Sequence, residues 1–265
     1  MVLTVRIKHD LPLNNRLIPD GFNETDESYN LYVTSPQNVT LDAFQWSGAV
    51  RGLSTLAQLI KPANGSYNLS FAPMTLVDWP RFHYRGFMLD TARRFYPVDN
   101  ILRLMDSMAV AKFNVFHWHM VEDESFPIEL KVFPAMWKNG AFKEGETYSR
   151  AQIKQIVEYG TRLAIRVIPE FDNPGHSRAI GFDPYFTEIV RCFNDTEPYK
   201  VPNAYEIKGA PLSAPLDPSM EKTYEAIQGI LTEMNELFPD SHVHLGGDEV
   251  DTACFDENPG IKDFM

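Results

Sequence analysis

The chain has 265 residues, 44% of them hydrophobic and 23% charged, with a net charge of −12 at pH 7. That is enough apolar material for a sizeable core, and it excludes intrinsic disorder, collagen and coiled coil. An acidic chain lacks the basic face that nucleic-acid phosphates require, and no apolar run approaches the roughly 20 residues of a membrane span.

The N-terminus, MVLTVRIKHD, has no charged segment leading into an apolar one, so it is not an intact signal peptide. Yet five Asn-x-Ser/Thr sequons occur, at Asn23, Asn38, Asn64, Asn68 and Asn194, against roughly 1.5 expected by chance at this composition. The excess points to the secretory route, and the missing leader then points to a truncated or mis-started chain. The two cysteines, Cys192 and Cys254, are no disulfide framework. By spacing alone a single bridge and two buried thiols are equally acceptable.

Residues 1–80 carry short alternating runs and one helix. Tyr29 to Val33 alternates as a strand, Ser47 to Ile60 has helical spacing with Ser47 as its N-cap, and Tyr67 to Phe71 is another short strand. Strand, helix and strand with polar turns predict a small α+β domain.

From residue 81 onward, strands and helices alternate. The strands Gly86–Asp90, Asn114–His119, Ile165–Pro169 and His242–Gly246 are near-continuous apolar runs, the pattern of strands buried on both faces. Asp99 is a candidate cap for the helix bearing Ile101, Leu104, Met105 and Met108. Ser149 and Gln152 form a capping box before Ile153, Ile156 and Val157. Asp217 with Pro218 opens a helix carrying Tyr224, Ile227, Leu231, Met234 and Phe238. Four β/α units in series predict a parallel sheet, either doubly wound or part of a (β/α)8 barrel. No GxGxxG or P-loop follows any strand, which weighs against nucleotide binding.

Acidic and imidazole groups gather at the C-terminal ends of these strands: Asp90 and Arg93, then His117, His119, Glu122 and Asp123, then Glu170, Asp172 and His176, then Asp248, Glu249 and Asp251. That edge holds the active site in both candidate folds. In His244-Leu-Gly-Gly-Asp-Glu-Val250 two glycines permit close approach, and two adjacent carboxylates whose pKa values separate suit acid-assisted bond cleavage. His117 and His119 share a strand face. With no further ligand at sensible spacing they read as pocket histidines, and no metal is assigned.

These stretches, Arg85-Gly-Phe-Met-Leu-Asp-Thr-Ala-Arg93, Phe113-Asn-Val-Phe-His-Trp-His119, Ser125-Phe-Pro127, Glu170-Phe-Asp-Asn-Pro-Gly-His176 and His244 to Val250, resemble the β-N-acetylhexosaminidases of glycoside hydrolase family 20, with the animal lysosomal type as the nearest likeness. The resemblance implies a (β/α)8 barrel at 81–265, represented by strands 1 to 4, behind an α+β domain at 1–80. It implies retaining release of terminal β-linked GlcNAc or GalNAc from glycoconjugates through an oxazolinium intermediate formed by the substrate's own acetamido group. By similarity Glu249 is the general acid and base, and Asp248 orients the acetamido group. Arg93 holds sugar hydroxyls, while His176, Asp172 and Glu122 form a supporting network. The resemblance also implies a Cys192–Cys254 disulfide, no cofactor, and a lysosomal or extracellular location. The implied partner is a terminal N-acetylhexosamine glycan, with a homo- or heterodimer for the full-length protein.

Two departures stand out. The family has Asp where this chain has Glu122, one methylene longer, so altered tuning of the acid is expected. About 185 residues hold four strands of a barrel that takes about 250, so the chain is expected to be incomplete and inactive alone. A non-catalytic carbohydrate-binding relative is the alternative.

Overall fold

A computed structural model describes residues 1–8, 25–69, 71–193, 213–256 and 258–265. In chain order its elements are β1 (Val2–Ile7), β2 (Tyr29–Ser35), β3 (Asn38–Ala43), α1 (Trp46–Leu59), β4 (Ile60–Ala63), β5 (Ser66–Leu69), β6 (Met74–Asp78), β7 (Gly86–Asp90), α2 (Val98–Val110), β8 (Val115–Val121), α3 (Pro134–Gly140), α4 (Arg150–Arg162), β9 (Arg166–Phe171), α5 (Glu221–Leu237), α6 (Ala253–Asp256) and α7 (Pro259–Phe264). No helix among the described residues is long and apolar enough to cross a membrane.

The chain divides into two compact units. The first comprises Met1–Phe87, Leu102–Phe116 and Tyr159–Arg166. Its four-stranded sheet runs β1-β3-β2-β6, with β1 parallel to β3 and the other pairs antiparallel. Period-two alternation places Tyr29, Leu31 and Val33 of β2 beside Val39, Leu41 and Ala43 of β3 in one core, closed by Ala49 and Leu56 of α1. Gly52 lets α1 lie on that sheet, since a Cβ there would meet Leu41 Cδ1 at 2.3 Å.

Inside this unit Arg51 is 2% exposed. Its Nε donates to Glu27 at 2.6 Å, and its two terminal nitrogens donate to the backbone oxygens of Leu163, Phe113 and Ala164 at 3.2, 3.1 and 2.7 Å. Those carbonyls follow the last turns of α4 and α2, where helices leave acceptors unsatisfied. Glu27 also accepts from Arg85 and Asn114. The buried charges are thus paired, and four of the five Arg51 donors are hydrogen-bonded, the condition on which such burial is tolerated.

The second unit comprises Met88–Ile101, His117–Glu158 and Val167–Met265. A three-stranded sheet has the order β7-β8-β9, and helices separate its strands along the chain. β8 and β9 are almost wholly buried. On β8, His117 and His119 face one way. Trp118 faces the other, donating to Thr91 at 2.9 Å and packing edge-on against Tyr148 and Phe238.

Several local expectations change. Ser47 lies inside α1 and donates to Asp26 O instead of capping, and Gln45 occupies the N-cap. Asp99 sits within the first turn of α2. α5 starts at Glu221, after Asp217 has accepted from the backbone and hydroxyl of Ser219. β7 is half-exposed, because among the described residues it stands at the sheet edge with a neighbour on one side only. His242 to Leu245 is exposed, and the segment makes a single parallel bridge, Glu170 to His244, in place of a full strand. The Ser149 and Gln152 capping box forms as its spacing predicts, with reciprocal bonds of 2.8 and 3.3 Å.

Candidate active site

The second unit gathers the polar ends of β7, β8 and β9 with the segment around Asp248. Arg93 follows β7, and three carboxylates surround its guanidinium. Asp90 lies 2.9 Å from Nη1, Glu122 2.8 Å from Nη2 and Glu124 3.5 Å from Nε. These charges hold Arg93 more firmly protonated than an ordinary arginine, against burial.

Glu122, 1% exposed, is the hub. Its Oε1 lies 2.8 Å from Arg93 Nη2, 2.9 Å from His119 Nε2 and 3.3 Å from His176 Nδ1. Its other oxygen accepts the backbone N–H of Asp123. Burial raises its pKa, opposed by His119, Arg93 and His176. The longer side chain at this position therefore keeps a contact to His176 while also reaching Arg93.

His176, 4% exposed, shares Nδ1 with Asp172 Oδ2 at 2.7 Å and places Nε2 3.3 Å from Glu249 Oε2. Burial lowers its pKa, but the bond to Asp172 and the charges of Glu122, Asp172 and Asp123 overcome this and push it up to about 9. Asp172 is held below the usual carboxylate range: burial works against this, while bonds from His176 and Gly247 N–H outweigh it. Asp248 Oδ1 lies 3.9 Å from His176 Nδ1. Both His176 and Glu249 adopt left-handed backbone, φ 49° in each, a conformation that non-glycine residues hold only where surrounding structure imposes it.

The Gly-Gly pair has a definite task. Gly246 has φ 67°, and a Cβ on it would stand 1.7 Å from Asp172 Oδ1, which accepts the Gly247 N–H at 2.9 Å. Gly175 likewise lets Asp248 O approach, at 2.9 Å from where a Cβ would lie.

Spacing along the chain missed part of this site. His119 bridges Glu122 and Glu170, with Nδ1 2.9 Å from Glu170 Oε2. Glu170 Oε2 also meets His117 Nε2 at 2.5 Å, and its Oε1 lies 3.1 Å from His244 Nδ1. A third ligand type near the histidine pair was not visible in sequence, yet His117, Glu170 and His244 bring ligating atoms within 4.8 Å of one another. His117 Nε2 meets Glu170 Oε2, and His244 Nδ1 accepts the Gly246 N–H. Buried Asp123 accepts the backbone N–H groups of Arg178 and Ala214, fixing the segment after His176. The available signal was the placement of these polar groups in or directly after buried apolar strands.

Cys192 and Cys254 are joined in a disulfide. Asn38, Asn64 and Asn68 are exposed. Asn23 and Asn194 lie outside the described residues.

An imidazole between a buried aspartate and an accessible glutamate, at the end of a strand–helix series, places acid–base groups at the edge where α/β barrels carry their sites. Residues 82–265 match the family model for the catalytic domain of glycosyl hydrolase family 20, and the chain belongs to that family. It is 38% identical over 242 residues to the human β-hexosaminidase subunit beta, covering 91% of this chain and 41% of that protein. It is 37% identical over 248 residues to the chitooligosaccharidolytic β-N-acetylglucosaminidase of Bombyx mori, covering 91% and 40%. Among solved structures, Flavobacterium johnsoniae chitobiase superposes with a TM-score of 0.80 at 33% identity, over 99% of this chain and 36% of that one. The Vibrio harveyi exo-β-N-acetylglucosaminidase in complex with N-acetylglucosamine gives 0.76 at 25% identity, over 99% and 40%. The fold is accordingly the N-terminal part of a (β/α)8 barrel preceded by a small α+β layer. The chain spans about two fifths of the length of these curated relatives.

Proposed function

We propose that this chain supplies the acid/base half of an exo-acting β-N-acetylhexosaminidase that removes terminal GlcNAc or GalNAc with retention. The observation that carries the reading is the chain Asp172–His176–Glu249, with contacts of 2.7 and 3.3 Å, beside Asp248. Glu249, with a carboxyl open to solvent, gives its proton to the glycosidic oxygen as the C1–O bond breaks. The substrate's acetamido oxygen takes the place of a protein nucleophile at C1, in the manner of families that form an oxazolinium. Asp248 accepts the acetamido N–H and balances the positive charge that develops. Water then reaches C1 as Glu249 takes back a proton, and the acetamido group is released. His176 sets the basicity of Glu249 from its place between Asp172 and Glu122. Arg93 donates to sugar hydroxyls, its charge held in position by Asp90, Glu122 and Glu124.

The domain layout belonging to this reading is 1–80 for the α+β domain and 81–265 for the catalytic portion. The exposed Asn38, Asn64 and Asn68 and the disulfide fit a secreted or lysosomal glycoprotein. An aryl β-N-acetylglucosaminide assay tests the function, applied to the chain alone and to the chain within its full open reading frame. Activity in the latter that Glu249→Gln abolishes is the expected result. A silent full-length protein, or one indifferent to Glu249→Gln, favours a non-catalytic carbohydrate-binding relative instead.

A further inference from the structure

We propose that His119 is a positioning residue: clamped between Glu170 and Glu122, it holds the one carboxylate oxygen that Arg93 and His176 share. The inference rests on the reading of Arg93 as the sugar-holding group and Glu249 as the acid/base.

The geometry fixes the state of the ring. Nδ1 lies 2.9 Å from Glu170 Oε2 and Nε2 lies 2.9 Å from Glu122 Oε1. A neutral imidazole donates from one nitrogen only, so its other lone pair would face a carboxylate oxygen at hydrogen-bond distance. With both carboxylates ionised, only the doubly protonated ring satisfies both ends. Arg93 Nη1, 3.4 Å from His119 Nε2, is meanwhile engaged with Asp90 Oδ2 at 2.9 Å. The charged groups facing His119 among the described residues are Glu122, Glu170, Asp90, Asp172 and Arg93, so two cations, His119 and Arg93, lie among four nearby carboxylates. Burial disfavours the charge on His119, but the bonds to Glu122 and Glu170 dominate and push its pKa up to about 10. The ring therefore stays charged across the range in which glycosidases work.

The consequence is mechanical. Glu122 Oε1 is the only atom within 3.3 Å of all three cationic groups, Arg93 Nη2, His119 Nε2 and His176 Nδ1, in the described ion pairs. Removing the His119 clamp lets Glu122 follow either partner, so sugar binding through Arg93 and proton transfer through His176 loosen together. A residue that only filled space would leave both unchanged.

Two measurements decide this. In the first, 15N–1H correlation spectra of the histidine rings of the intact chain at pH 7 read His119 directly, with its resonances assigned by their loss in His119→Gln. Two protonated nitrogens are expected, and one unprotonated nitrogen overturns the proposal. The second is the kinetics of the full open reading frame with an aryl β-N-acetylglucosaminide, comparing His119→Phe, which keeps a ring without N–H groups, and His119→Gln, which keeps a donor. Raised KM and a kcat lowered by on the order of tenfold or more are expected for Phe, with Gln between Phe and wild type and the acid limb of the pH profile displaced. Should His119→Phe fail to fold, His119→Gln alone decides. Wild-type kcat, KM and pH profile in folded His119→Gln overturn the proposal. Activity that survives Glu249→Gln sinks the functional reading instead, and the spectra still decide the clamp.

Discussion

Gly246 and Asp172 compete for the same space: the carboxylate oxygen Oδ1 lies 1.7 Å from where a side chain on Gly246 would begin. Gly246→Ala must therefore displace the group that orients His176. The left-handed backbone adds about 1–2 kcal/mol of strain for any side chain. The expected outcome is lower stability in urea and loss of glycosidase activity in the full reading frame. A variant with the parent's stability and rate would show that Asp172 does not need that space.

Arg51 and Glu27 offer a test within the first unit. Both are buried, and Arg51 donates to three carbonyls beyond the ends of α2 and α4. Arg51→Met leaves Glu27 short of a cation and those carbonyls short of donors, so a loss of about 3–5 kcal/mol is expected. Equilibrium denaturation measures it. A loss below about 1 kcal/mol would mean that water replaces the guanidinium without penalty.

Stability should depend on pH in a signed way. His119 and His176 have pKa values pushed up to about 10 and about 9, whereas an unfolded histidine titrates near 6.5. A raised pKa contributes stability that is complete below about 6.5 and is lost as pH rises through 9 to 10. Glu170 and Asp172 are held below their ordinary values, mainly by their histidine partners working against burial. Their contribution is present above about 4.5 and is lost as pH falls. Thermal midpoints should peak between pH 5 and 8 and fall on both sides. His119→Gln should flatten the alkaline fall, and an unchanged alkaline slope would contradict the assignment.

Glu122→Asp shortens the hub by one methylene. The shorter carboxylate cannot keep all three of its contacts at 2.8, 2.9 and 3.3 Å without movement. The expected change is a displaced acid limb of kcat/KM in the full reading frame, with folding retained. A pH–rate profile that overlays the parent's would show that the extra methylene leaves the acid untouched.

The capping box at Ser149 and Gln152, the alternation along β2 and the polar groups at the ends of β7, β8 and β9 were legible in sequence. Each is set by contacts within a few residues or by a period of two or 3.6. The same locality explains the failures. Ser47 looked like a cap because only its neighbours were visible, whereas its hydroxyl partner is the Asp26 carbonyl, 21 positions away. The segment His242 to Gly246 carries a strand-like pattern, yet ladder formation needs a neighbour along its length, and one bridge to Glu170 forms.

The sequence by itself determined which chemical groups gather at the strand ends, because burial of apolar strands leaves their ends as the place for charge. Tertiary structure decided how those groups are wired. Glu122 meets Arg93 from 29 residues upstream and His176 from 54 residues downstream at one oxygen atom. Nothing local specifies which of several carboxylates takes that place. Only the packing of separate strands brings the three cations to it, and desolvation makes the arrangement hold.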